Sequence, residues 1–170
     1  YNGSAVNATT VQTNVTNFDA TWTTFPIPNG VLLTSGAGTG AVGPNSSNNN
    51  TDATGTSVVT DADLQAIAPN TITNGVILEF DFEATGDSVS FEYMFASEEY
   101  PSDYGGSFYD VFGFFLSGPG FAGPYSNGGV NIATIPGTST PMSILNLNPG
   151  TNVAYYVDNV GGAAYGSAIQ

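Results

Sequence analysis

Four carboxylates lie close together in the stretch YMFASEEYPSDYGGSFYDVFGFFLSGPG, between two aromatic runs. They belong to Glu98, Glu99, Asp103 and Asp110. Such a group can bind a metal ion or share a proton, because two carboxylates about 4 Å apart repel by about 4 kcal/mol at an effective dielectric of about 20. A compact acidic loop therefore needs a cation or a shared proton to be stable at neutral pH.

No side chain of the protein can supply that cation. The 170 residues include 14 Asp and Glu but no Lys, Arg or His, which gives a formal net charge of −14. The balancing charge must come from solvent ions, a bound metal or another molecule. Nucleic acid is excluded as a partner because phosphate binding needs basic side chains, and anionic membrane surfaces are disfavoured for the same reason. No apolar run reaches membrane-spanning length, so membrane insertion is not expected.

The composition also selects the kind of metal. With neither His nor Cys in the chain, every available metal ligand is an oxygen. Oxygen ligands favour hard cations, with Ca²⁺ first, Mg²⁺ or Mn²⁺ next, and zinc disfavoured. Carboxylates, Asn side chains and the carbonyls of Gly-rich loops suit the irregular coordination of calcium. We therefore predict a calcium site at the four carboxylates; the alternative is a solvated acidic loop.

Catalysis is not expected. Nucleophilic triads and imidazole acid/base chemistry need residue types that the chain lacks. A carboxylate pair of the glycosidase type, one of Glu98 and Glu99 with Asp110, is the remaining option. Adjacent glutamates on a strand would point to opposite faces, so these two are not expected to act as a pair with each other.

Most of the chain reads as short β-strands. In GVILEFDFEATGDSVSFEYMFA, apolar and polar residues alternate on both sides of Thr85 and Gly86, which predicts a hairpin. This hairpin pairs Phe80 with Phe91 and sets Glu79 opposite Glu92, a destabilising like-charge pair. Further strands are predicted at 30–34, 110–117, 130–135, 141–147 and 152–158.

Short strands at this spacing predict an all-β fold, a β-sandwich or jelly roll. The predicted organisation is an extended N-terminal strand or arm over residues 1–24, then a single sandwich domain over 25–170 with a long Gly/Asn/Ser loop at 35–57. One helical turn is predicted in TDADLQAIAP, with Thr60 as N-cap, Asp63 in a capping-box position and Pro69 ending the element.

Several segments occur in an order that resembles a known family. GVLLTSG, DADL, VILEFDF, FASEEYP, DVFGFFLSGPG, NIATIPGT and YYVDN resemble the choice-of-anchor L domain of secreted bacterial surface proteins, over roughly residues 28–159. The resemblance implies an extracellular or cell-surface domain of an adhesin-like or matrix protein, without enzymatic activity. It also points to Asp61 and Asp63 as additional calcium ligands, with helix capping as the alternative for Asp63.

One departure from the family concerns the last strands. Similar domains continue beyond YYVDN into further strands, whereas this chain reaches GSAIQ, and its opening YNGSAVNATT resembles the segment expected next. The N-terminal arm is therefore a candidate to complete the sheet of a neighbouring copy by donor-strand addition, which would build a filament. The alternatives are a truncated chain or an arm that folds back on its own domain. The expected partners are other copies of the protein or surface and matrix proteins.

Two features concern carbohydrate. Sequons for N-glycosylation begin at Asn2, Asn7, Asn14, Asn45 and Asn49, although an Asn/Thr-rich chain also produces sequons by chance. The alternative function is a carbohydrate-binding module of the β-sandwich type. Its sugar platforms would come from the aromatic residues Trp22, Tyr100, Tyr104, Phe108, Tyr109 and Tyr125.

Overall fold

The computed structural model describes residues 5–11, 14–42, 61–100, 104–105 and 109–165. Within these ranges the chain consists of short strands and long loops with one short helix, which confirms the predicted all-β class. The packing of two sheets into a sandwich stays a prediction. The strands are β1 (Ala5–Val11), β2 (Val15–Asp19), β3 (Asn29–Leu33), β4 (Leu78–Phe82), β5 (Val111–Phe112), β6 (Phe115–Leu116), β7 (Val130–Asn131) and β8 (Met142–Ser143), and the helix is α1 (Ala62–Ile67).

The described strands pair in four antiparallel ladders. β2 pairs with β3, β5 with β8, and β6 with β7. β1 pairs with β4 of the same chain, from Ala5 opposite Phe82 to Val11 opposite Leu78. This pairing matches the alternative in which the N-terminal arm folds back on its own domain, and exchange between subunits stays a prediction.

The partner of β4 differs from the one that the alternation of residues predicted. Alternation determines which face a side chain occupies but leaves open which strand lies alongside. In the structure Glu79 lies opposite Thr10 and Asp81 opposite Asn7, so the register partner of each β4 acid is an uncharged residue. The predicted hairpin, with Glu79 opposite Glu92, is wrong. The observed pairing avoids that repulsion between like charges.

The segment that was expected to complete the hairpin packs elsewhere. The ring of Phe91 lies 4.6 Å from that of Phe114, and the ring of Tyr93 lies 5.2 Å from that of Phe112. From Phe91 to Tyr93 the chain advances by two residues, while their ring partners go back by two, from Phe114 to Phe112. The two segments therefore run antiparallel. Continued by two residues, this arrangement brings Phe95 towards Asp110 and aligns the start of the acidic loop with its end.

The remaining predicted strands are shorter in the structure or are replaced by turns. Only two residues are strand within each of 130–135 and 141–147, and 110–117 is interrupted between β5 and β6. The strand predicted at 152–158 is wrong at its start, because Asn152 adopts a left-handed conformation with φ of 54° and begins a 3₁₀ turn at Val153–Tyr155. Left-handed backbone cannot continue a strand.

Among the described residues, the cluster of buried apolar side chains lies in the second half of the chain. Ile135, Met142 and Leu147 are buried together, and three partly buried aromatic residues pack against them. These are Phe95, Phe112 and Tyr156. Because Phe95 comes two residues before Ser97, and Phe112 two after Asp110, the core holds both ends of the acidic loop in place.

The helix begins one residue later than the sequence predicts. Asp61 is the N-cap, and its carboxylate accepts a 2.7 Å hydrogen bond from the backbone N–H of Leu64. Asp is a better N-cap than Thr, which accounts for the later start. Thr60 lies outside the described residues. The helix ends at Ile67, before Pro69, as predicted.

Candidate functional site

Three of the predicted carboxylates converge. Glu98, Glu99 and Asp110 each offer an oxygen within 4.8 Å of the oxygens of the other two. All three side chains are half-buried. Glu98 and Glu99 lie in a turn after the Phe91–Phe95 segment, and Asp110 directly precedes β5. The antiparallel packing of these two segments is therefore what brings the carboxylates together.

The adjacent glutamates converge because they are not on a strand. Residues 98–100 form a turn. The expectation that their side chains point to opposite faces assumed an extended backbone and is wrong here. In a turn, successive side chains can lie on the same side, and both carboxylates face Asp110.

Ser97 connects two of the carboxylates, and sequence reasoning gave it no role. Its hydroxyl oxygen lies 2.6 Å from Glu99 Oε2 and 2.6 Å from Asp110 Oδ2. It also accepts a 3.2 Å hydrogen bond from the backbone N–H of Glu99. The signal for this residue was the Ser-x-Glu spacing, since serine commonly bonds the backbone two residues ahead.

The hydrogens available at Ser97 are too few for these contacts. A serine hydroxyl donates a single hydrogen, so it can satisfy only one of the two short oxygen–oxygen contacts. The other contact requires a proton on a carboxyl group, or a cation that relieves the repulsion between the oxygens. The cluster therefore has the geometry of a site that holds a shared proton or a metal ion.

The proton affinities of the cluster agree with this geometry. Burial raises the pKa of Asp110 from 3.8 to about 7, with Glu99 adding to the effect and the hydrogen bond from Ser97 opposing it. Burial also raises the pKa of Glu98, and the charge of Glu99 contributes in the same direction. Near neutral pH the cluster thus retains a proton easily, and a divalent cation would displace that proton.

Tyr100 anchors the turn to the core. Its hydroxyl donates a hydrogen bond to the carbonyl of Leu147, and its ring meets that of Tyr156 edge-on with centroids 5.2 Å apart. Burial raises the pKa of Tyr100, so the phenol stays protonated and remains a donor. The position of the glutamates is therefore coupled to the buried residues around Leu147.

The other predicted ligands lie elsewhere or outside the described residues. Asp61 caps α1. Asp63 accepts hydrogen bonds of 2.9 and 3.1 Å from the backbone N–H of Ser126 and of 3.1 Å from its hydroxyl. Asp63 therefore joins α1 to the loop before β7 instead of forming the predicted capping box. Asp103 lies outside the described residues. A role for these three in a calcium site stays a prediction.

The predicted glycosylation sites differ in their surroundings. Asn14 is 4% exposed, so a glycan on its side chain would have to displace the neighbouring chain. Asn7 lies within β1, opposite Asp81. Asn2, Asn45 and Asn49 lie outside the described residues. Use of the sequons stays a prediction.

The candidate sugar platforms also differ. Trp22 is 68% exposed, and its indole N–H donates a 3.1 Å hydrogen bond to the carbonyl of Asp19. The ring of Tyr125 packs 4.8 Å from that of Phe115, and Tyr100 packs on Tyr156 as described. Tyr104 and Tyr109 are half-buried, and Phe108 lies outside the described residues. Among the described members of the set, Trp22 is the one with an exposed ring.

Fold and site together define an acidic all-β domain with a cluster of oxygen ligands and no basic side chain. The chain belongs to the choice-of-anchor L domain family, whose model matches residues 1–168. The match extends the resemblance of residues 28–159 to nearly the whole chain, including β1 and β2. Family membership indicates a secreted or surface-associated bacterial protein. No curated protein and no solved structure matches the chain.

In the part of the chain that the structure describes, no helix has the length and apolar character needed to cross a bilayer.

Proposed function

We propose that the protein is a calcium-stabilised structural domain outside the cell, acting in surface adhesion, matrix or filament assembly. The observation that carries this proposal is the convergence of Glu98, Glu99 and Asp110 in a chain without a basic side chain. Family membership supports the extracellular setting. Non-enzymatic function is part of the proposal.

Calcium suits the cluster for two reasons. The three carboxylates are hard oxygen donors whose mutual repulsion a divalent cation would reverse. Calcium also accepts carbonyl oxygens and water in irregular geometry, so its further ligands need not be carboxylates. Mg²⁺ demands a more regular octahedron and keeps its waters, so we expect it to bind more weakly.

The expected effect of calcium is on stability. Glu98 and Glu99 precede the loop that Asp110 closes, so an ion held by all three would fix both ends of that loop beside the core. A ligand that binds only the folded state stabilises it by about 2.7 kcal/mol at about 100 times its dissociation constant. A loop fixed at both ends would give every copy of the protein the same surface for assembly.

The test is a thermal melt of metal-stripped protein, titrated with Ca²⁺ and separately with Mg²⁺. We expect calcium to raise Tm by about 5 °C or more, with a smaller response to magnesium. Glu99→Gln and Asp110→Asn should abolish most of that rise. Glu83→Gln and Asp87→Asn, which remove exposed acids outside the cluster, are the matched controls. Equal calcium responses in the cluster variants and the controls would reject the site.

The alternative function is carbohydrate binding at Trp22. The exposed indole, oriented by its bond to Asp19, supports this reading. Binding to a glycan panel that is lost in Trp22→Ala and kept in Phe121→Ala, another exposed aromatic residue, would favour the alternative.

A further inference from the structure

In the described part of the chain, the ladder partner of strand β1 is β4. Among the described elements, β4 is the one with which β1 makes extensive contact. The connection from β1 to β2 passes through residues 12–14. Asn14 is buried there, and its carbonyl accepts a 3.2 Å hydrogen bond from the N–H of Thr34. Asn14 is therefore held beside the residue that follows β3, whereas β1 pairs with β4.

The ladder itself is irregular. Its register shifts between Ala5 and Asn7 and again between Ala8 and Thr10. Each shift leaves an extra residue unpaired and locally disrupts the ladder. These two irregularities weaken the ladder locally at residues of β1 that have no register partner in β4.

The charges of β4 restrict what can replace β1. β4 carries Glu79 and Asp81, whereas β1 has no charged residue. If β4 paired with β4 of another copy, acids would lie close together across the interface, with no basic side chain available to offset them. An uncharged strand of the composition of β1 is therefore the suitable partner, and another copy of the protein provides one.

We propose that β1 of one copy pairs with β4 of a second copy, in the antiparallel register seen within the chain, so that strands are exchanged between subunits. This inference rests on the proposed role in assembly and specifies its contact. The exchanged ladder contains the same hydrogen bonds as the internal one. The equilibrium between internal and exchanged pairing of β1 therefore depends on linker geometry and on protein concentration. Crowding at a cell surface favours exchange, and unclosed exchange would link subunits head to tail.

The test uses engineered cysteines, since the native chain has none. Thr10 and Glu79 are register partners in the ladder. Thr10→Cys and Glu79→Cys are made in separate chains of different tag length, mixed at high concentration, and joined with a short bismaleimide. Val153→Cys, at a site that is 55% exposed, replaces Glu79→Cys in the control mixture. The double variant T10C/E79C in one chain tests the internal ladder.

Exchange predicts a mixed dimer of Thr10→Cys with Glu79→Cys that exceeds the Val153→Cys control by about tenfold and increases with concentration. The proposal would be overturned if the double variant cross-linked only within single chains at every concentration. Equal yields of mixed dimer with Glu79→Cys and with Val153→Cys would also overturn it. Absence of cross-linking in the double variant would also overturn it, because the ladder would then not form. The calcium melt is a separate readout, so either proposal can fail while the other stands.

Discussion

At the scale of the residue, Asp110 has the most informative surroundings. It is half-buried, touches Ser97, and lies with two glutamates whose charges no basic residue offsets. Burial and the nearby glutamates raise its pKa to about 7. Under the proposed function, a calcium ion would take the place of the proton that this carboxyl holds. Protons and calcium should therefore compete at this carboxyl.

This residue predicts how stability depends on pH. The pKa of Asp110 is raised in the folded state, so its stabilising contribution is present below 3.8 and is lost as the pH rises through about 7. Metal-stripped protein should therefore lose stability between about pH 4 and about pH 7, and the raised pKa of Glu98 acts in the same direction. Melting curves across this range measure the effect.

Asp110→Asn is the matched variant for that measurement, because the amide keeps the shape of the carboxyl group and cannot ionise. Its stability should vary less with pH than that of the parent protein. Parallel pH profiles for the two proteins would show that Asp110 titrates normally. With saturating calcium, the stability of the parent protein should no longer fall as the pH rises towards about 7, since the metal replaces the proton.

At the scale of the element, the loop between β6 and β7 shows how close packing depends on residue type. The N–H of Gly123 donates a 2.7 Å hydrogen bond to the carbonyl of Gly128, which folds the loop tightly. A Cβ at Gly123 would lie 2.0 Å from the carbonyl oxygen of Gly129, a backbone atom that cannot rotate away. The same loop carries Ser126, the partner of Asp63 in α1.

Gly123→Ala should therefore destabilise the protein by about 2 kcal/mol or more, because the backbone of the loop must shift. Urea denaturation gives the free energy of unfolding. Gly86→Ala is the control, since a Cβ there meets nothing within 4 Å and should change stability by about 0.5 kcal/mol or less. Similar losses in both variants would mean that the loop is less tightly packed than described.

At the scale of the whole molecule, the dominant feature is a charge of −14 without a single basic side chain. The acids repel one another throughout the fold, and this repulsion opposes the compact state. It also keeps copies apart in solution, so that assembly needs screening ions, a bound cation or an uncharged contact such as β1. We therefore expect both calcium and salt outside the cell to favour assembly.

Salt should act on the net charge and calcium on the cluster, and the two effects can be separated. Raising NaCl from about 20 mM to about 500 mM shortens the screening length severalfold and should raise Tm in the parent and in Asp110→Asn to a similar extent. Calcium at matched ionic strength should raise Tm further in the parent alone. If NaCl reproduced the whole effect of calcium, the response would be general screening and not a specific site.

The sequence by itself determined the properties that follow from residue type. The lack of Lys, Arg and His defined the charge problem, and the lack of His and Cys restricted metal ligands to oxygen. Alternating apolar residues predicted the all-β class. FASEEYP and DVFGFFLSGPG indicated the family whose model matches residues 1–168. Glu98, Glu99 and Asp110 were predicted, together with Asp103, as one cluster because they are close in sequence and like in charge.

The tertiary structure alone decided which elements lie side by side. Alternation could not choose between Phe91 and Ala8 as the neighbour of Phe80, because both satisfy the same facing rule. The structure selects β1, whose residues opposite the β4 acids are uncharged, and leaves the Phe91 segment to pack on Phe114. That choice also brings Ser97 against Asp110, a contact across 13 positions that no local pattern specifies.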